Sequence, residues 1–256
     1  MRAGWTPRRT AAHDHGEESA GQRAPGPVVT GFSLRAGAAA LLAATLLASG
    51  SAGSETTVGR FSAGDLAGWK EREFKGRSRY EIAHDPDGTG RVLAAASESA
   101  ASALYLERRI DLAETPWLAW RWKVEAPLPI ADERSKRGDD FAARVYVVSR
   151  GFGLLRRPLA ITYVWASAPV GSSWPNPFTS RAVMVVVDSG PGGEWRHHER
   201  NVRADFRRYH GKDVKRLDGV AVMTDTDNSD TQGRAWYGDL SFRAARGAAS
   251  GRPGSG

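Results

Sequence analysis

Hydrophobic and polar positions alternate in short runs along most of this chain. Residues 78–84 (Ser-Arg-Tyr-Glu-Ile-Ala-His) alternate, Asp85-Pro86-Asp87-Gly88 makes a turn, and a further run covers residues 91–95. Residues 103–110 alternate again, and residues 117–124 are dense in aromatic and branched side chains between Pro116 and Pro127. Residues 141–149, 159–165, 183–188, 219–224 and 235–242 complete the set. Runs this short, with Gly and Pro between them, predict an all-β fold, a jelly-roll-like β-sandwich, rather than a βαβ sheet. One segment changes period. In residues 201–209, Val202, Phe206 and Tyr209 stand at i, i+4 and i+7, which predicts one short helix stopped by Gly211.

The two ends of the chain read differently. Residues 36–48 form an uncharged run of thirteen small and apolar residues after Arg35, and small residues follow it to Gly53. That is the layout of a signal peptide over residues 36–52, and it is short of the roughly 20 apolar residues a membrane span needs. The expected location is therefore the periplasm or the exterior, with no stable membrane anchor. Residues 1–35 read as a disordered extension or a start codon set too early, and residues 244–256 as a disordered tail. Residues 55–243 then form one sandwich domain, with no internal repeat and no linker. The absence of cysteine removes disulfides and thiolate metal sites, so a core must hold the domain together. The net charge is +7, and the first 35 residues contribute five arginines against three acids. The remaining bias is mild and its basic residues form no nucleic-acid motif, so nucleic acid is not an expected partner.

Alternation also sorts candidate chemistry onto faces, because alternate side chains of a strand point the same way. Trp120 and Trp122 project together, as do Tyr163 and Trp165, and Arg144 and Tyr146. Flat rings suit the apolar faces of sugars, and nearby charges suit their hydroxyls; equally, such rings fill a core. Asp139 and Asp140 end a charged run and lead into Phe141, which puts a carboxylate beside Arg144. Together these eight residues are the expected ligand-binding set. A second cluster, Asp225, Asp227, Asn228 and Asp239, crowds oxygen atoms where two expected strands meet. It suits a hard cation such as calcium, which takes six to eight oxygens. It lacks the sixth-position glycine and downstream glutamate of an EF-hand loop, and ordinary turn chemistry also favours Asp and Asn there. His197-His198-Glu199 has the wrong spacing for zinc and reads as a surface loop.

Several blocks carry a family resemblance: Trp120-Arg121-Trp122-Lys123-Val124, then Gly138-Asp139-Asp140-Phe141 running into Arg144-Val145-Tyr146-Val147. With them go Tyr163-Val164-Trp165, Arg200-Asn201-Val202, Asp205-Phe206-Arg207, Thr224-Asp225-Thr226-Asp227-Asn228 and Tyr237-Gly238-Asp239. Over about residues 61–242 the chain resembles the bacterial exported family called domain of unknown function 3047. That resemblance implies relatives, and no reaction. A looser one, to galactose-binding-like jelly-roll carbohydrate-binding modules, rests on a Phe61 to Trp69 opening and a closing strand that carries Asp239.

Three functional expectations follow. The first is a non-catalytic exported domain that binds carbohydrate or a cell-envelope glycan. The second is a polysaccharide hydrolase or lyase, drawing on Asp139, Asp140, Asp225 and Asp227, or on Arg144 with a tyrosine. The third is a structural envelope protein.

Overall fold

The computed structural model describes residues 55–151 and 158–244. The expected extension and leader, residues 1–52, and all of the expected tail 244–256 but Ala244 lie outside that span. Within it, alternation becomes two packed antiparallel-rich sheets, an all-β sandwich of jelly-roll type. The first sheet runs β1 (Glu55–Gly59), β14 (Leu240–Arg243), β6 (Trp117–Val124), β13 (Gln232–Tyr237), β4 (Arg91–Glu98) and β3 (Arg79–His84), with β11 (Arg196–Asn201) on the other edge of β6. The second runs β2 (Trp69–Lys75), β5 (Ala101–Asp111), β12 (Arg216–Asp225), β7 (Arg144–Ser149), β8 (Leu159–Ala166), β10 (Thr179–Ser189) and β9 (Ser173–Asn176). Only the β8–β10 pair is parallel among the described pairings.

The expected helix forms as α1 (Val202–His210). Asn201 caps its start by accepting from the Ala204 amide at 2.9 Å, and Gly211 closes it in the left-handed conformation at φ 61°. Val202 and Phe206 bury the apolar stripe, and Asp205 reaches inward between them. No helix of the described residues is long and apolar enough to cross a membrane.

Strand parity decides what fills the space between the sheets. Trp120, Trp122 and Val124 come from β6, and Ile161, Tyr163 and Trp165 come from β8; all belong to one buried core with Val145, Val147, Val220 and Val222. The Trp120 and Tyr163 rings stack with centroids 5.3 Å apart, and Trp122 lies 6.4 Å from Trp165. Rings of this size bury about 150–250 Å² each, or about 4–6 kcal/mol of apolar transfer before ordering costs. The four rings expected to stack on sugar are thus the centre of the core. Alternation says which side chains share a face, and here that face is the inner one.

Four strands were not expected: β1, β2, β9 and β11. β11 holds the histidines read as a loop. His198 points inward against Trp120 and Trp122, and its Nε2 lies 2.5 Å from Asp188 Oδ2 on the opposite sheet. The run expected over residues 235–242 divides into β13 and β14 at Gly238-Asp239. A Cβ on Gly238 would sit 2.5 Å from the Arg121 side chain, so the break is built around a bare backbone.

Candidate functional site

Asp225 and Asp239 were expected to crowd together where two strands meet. The structure separates them, because β12 belongs to the second sheet and β13 to the first, so the segment between them crosses from one layer to the other. Asp239 accepts from the Ser62 amide at 2.7 Å and from its hydroxyl at 2.5 Å, anchoring the 3-10 turn Phe61–Ala63. It has no part in the acid cluster. Asp140 takes its place: Asp140, Asp225 and Asp227 offer oxygens all within 4.8 Å of one another.

Protein donors already occupy that cluster. Asp140 accepts from the Asn228 amide and Nδ2, each at 3.0 Å, and from the Ser229 amide and hydroxyl, each at 2.6 Å. Asn228 therefore meets Asp140 through its donors and staples the turn after β12. Asp225 accepts from Arg144 Nε at 2.7 Å, from Arg144 Nη2, and from the Phe141 amide at 3.3 Å. Arg144, only 2% exposed, also binds the Asp139 carbonyl and lies 4.5 Å over the Phe141 ring.

Burial opposes the charge on Arg144, yet Asp225, Tyr146 and Asp139 outweigh it and hold the guanidinium well above its ordinary value. The same burial pushes the Asp225 carboxyl up, and the charge and hydrogen bonds of Arg144 pull it back down. Three donors on Asp225, two of them from a guanidinium, favour the carboxylate, so the ion pair is the form this geometry describes. Burial likewise raises Asp139 and Asp227. Glu133, Asp139 and Asp140 of the charged run before β7 thus form a buried clasp, while Asp132, Arg134, Lys136 and Arg137 stay exposed. Glu133 binds the amides of Ser167 and Ala168, and Phe141 packs 6.4 Å from Trp174 over the outer face of β8 and β10.

Beyond this clasp, the outer face of the second sheet is open. Residues directly opposite in antiparallel strands share a face. One rung across the sheet reads Lys70, Tyr105, Ala221, Tyr146 and Thr162; the next reads Arg72, Ala103, Met223, Arg144 and Val164. Ala103, Ala221 and Gly219 keep the middle of the face low, and Tyr105 and Tyr146 stand one strand away on either side. With strands about 4.8 Å apart, the two tyrosine-bearing strands flank a trough roughly 10 Å across. The result is a groove of about 500 Å³, lined also by Phe74, Met223, Val148, Glu107, Arg150 and Asp218. Gly219 is needed at its floor, since a Cβ there would lie 2.9 Å from the Leu106 carbonyl oxygen.

Of the eight expected ligand-binding residues, only Tyr146 lines this groove. Its hydroxyl lies 3.3 Å from Arg144 Nη1 and 3.5 Å from Met223 Sδ, so the buried clasp positions the ring. Burial pushes the Tyr146 hydroxyl well above its usual range, keeping it neutral. Arg144, Asp139, Asp140 and Asp225 lie beneath the end of the groove, while Trp120, Trp122, Tyr163 and Trp165 face the opposite way. Sequence reading missed Tyr105, Ala221 and Met223, although alternation in residues 103–110 and 219–224 already put small and aromatic residues at matching parity.

The chain belongs to the family described as Protein of unknown function (DUF3047), whose profile matches residues 67–241. No curated protein matches. Among solved structures it is similar to CtCBM11, at 12% identity and a TM-score of 0.39, covering 77% of this chain and 99% of that one. It is also similar to the CBM22-1 xylan-binding domain from Paenibacillus barcinonensis Xyn10C, at 12% identity, TM-score 0.38, and 77% and 97% coverage. The enzymatically active domain of Bacteriophage CBA120 tailspike protein 4 is similar at 7% identity and TM-score 0.37, with 72% of this chain matched; the chain spans 20% of that structure.

Proposed function

We propose that this chain is an exported, non-catalytic domain that binds an extended carbohydrate along the outer groove of its second sheet. The observation that carries the reading is the trough itself: Ala221 and Gly219 on the floor, Tyr105 and Tyr146 on the two walls, and charged groups at the rim. A groove of about 500 Å³ is in the usual range for a ligand site, and one open along a sheet suits a polymer rather than a compact molecule. Sugar rings offer apolar C–H faces to tyrosine and hydroxyls to Glu107, Asp218 and Arg150. The leader-like run of residues 36–48 supports export, and cell fractionation that left the chain in the cytoplasm would remove that part.

Binding is favoured over hydrolysis by the state of the acids. Two working carboxylates must flank the scissile bond, about 5–9.5 Å apart and open to substrate. Asp139, Asp140 and Asp225 are buried, and Asp140 and Asp225 are held by Asn228, Ser229 and Arg144. A lyase that used Arg144 would have to break the same clasp.

Affinity electrophoresis through a panel of polysaccharides tests the reading. Tyr105→Ala removes a wall and Ala221→Leu fills the floor. Each is expected to weaken retention by about tenfold, the value of roughly 1.4 kcal/mol, with an unchanged melting temperature. Retention unaffected by both substitutions would place the site elsewhere.

A further inference from the structure

We propose that the polymer bound in this groove is acidic, a polysaccharide carrying carboxylate groups. The inference rests on the carbohydrate reading of the groove and names its ligand class. Its basis is the way β2 sorts its charges. Lys70 pairs with Tyr105 and Arg72 with Ala103, so both cations stand on the groove face of the sheet. Glu71 and Glu73 alternate with them on the other side, where Arg77 meets them at 2.7 and 3.9 Å. Alternation has therefore put Lys70 and Arg72 on the outer face of the sheet, Arg72 lining the groove and Lys70 one rung beside it, and both acids on the other face. The third cation of the strand, Lys75, donates to the Asp227 carbonyl at 2.7 Å.

The charges of Lys70 and Arg72 are not neutralised within the protein. Among the described residues, neither Lys70 nor Arg72 makes an ion pair, and Arg72 lies over the Phe74 ring, 5.2 Å from its centroid. Phe74 is 57% exposed, an unusual state for a ring of that size. The acids at the rim are, in contrast, already paired with cations: Glu107 with the Arg150 guanidinium, and Asp218 with Arg216 Nε at 3.8 Å, beside its hydrogen bond from the Arg150 amide at 2.8 Å. The free charge of the groove is thus positive. A guanidinium beside an exposed ring suits a sugar acid, because the ring takes the apolar face of the sugar and the planar fork takes the carboxylate.

The test compares full-length protein on immobilised polygalacturonate, alginate and hyaluronate with the methyl-esterified form of each, where the backbone is kept and the charge removed. At least one acidic polymer is expected to retain the protein at least tenfold more strongly than its ester, and raising salt should weaken that retention. Lys70→Gln with Arg72→Gln should abolish the difference while leaving weaker, salt-insensitive binding to the ester. Both side chains are exposed, so the variant is expected to fold, and an unchanged melting temperature checks this. Equal retention of acid and ester forms, or a difference that survives the double substitution, overturns the acidic ligand but leaves the carbohydrate reading standing. Retention on acidic polymers that Tyr105→Ala does not affect also overturns it, because the contact is then general polyanion attraction outside the groove. No retention on any glycan, acidic or neutral, overturns the carbohydrate reading itself.

Discussion

Arg144 links the buried interior to the groove. Its side chain is surrounded by Asp225, the Asp139 carbonyl, the Tyr146 hydroxyl and the Phe141 ring, and its backbone amide lies 3.3 Å from the Tyr237 hydroxyl. Removing one partner of a buried pair strands the other charge, at a cost of about 3–5 kcal/mol. Arg144→Met is expected to destabilise the fold by that amount in urea unfolding, and Arg144→Met with Asp225→Leu to recover most of the loss. If the single substitution were silent, the clasp would not be what holds the segment before β7. The same donors leave the acids little need of a cation, so chelator is expected to leave the melting temperature unmoved. At this scale the sequence was half legible. The acids and Arg144 were visible as a cluster, but residue spacing does not say whether a charged run lies in water or is folded under a ring.

Elements were easier to read than their surroundings. β6 and α1 follow directly from alternation and from an i, i+4, i+7 stripe. β8 shows the difficulty: from Ile161 to Ala166 every residue is buried, because the core covers one face while Phe141 and Trp174 cover the other. A strand enclosed on both sides carries no polar alternation to report its orientation. β2 and β11 were missed for the opposite reason, being edge strands rich in charge. The segment after α1 carries a pH signature. Asp213 receives hydrogen bonds from Arg203 and Arg207, and the Arg203 bond above all lowers it to about 2. A carboxyl lowered on folding adds stability above its unfolded value near 3.9 and loses it as pH falls through the folded one. Asp213→Asn should therefore melt below the wild type by a constant margin from pH 5 to 7, and that margin should close between about pH 4 and pH 2. A margin independent of pH would show that the contact works through shape rather than charge.

The whole molecule gives its two layers different tasks. The first sheet supplies Trp120 and Trp122 to the core, and Asp188 of the second sheet binds both the Trp122 indole, at 2.7 Å, and His198 across the gap. The second sheet closes part of its outer face with the Glu133–Phe141 clasp and leaves the rest as the groove. Fold class was legible because many short alternating runs have few other solutions. The location of the site was not: two sheets have four faces, and parity alone cannot say which are inside. The most direct measurement is a crystal structure of the protein with an oligosaccharide from whichever polymer retains it. The account expects sugar rings along the outer face of the second sheet, over Ala221 and between Tyr105 and Tyr146, with Arg144 still bound to Asp225. Sugar bound on the first sheet, or at the sandwich edge beside His198 and Asp188, would contradict it.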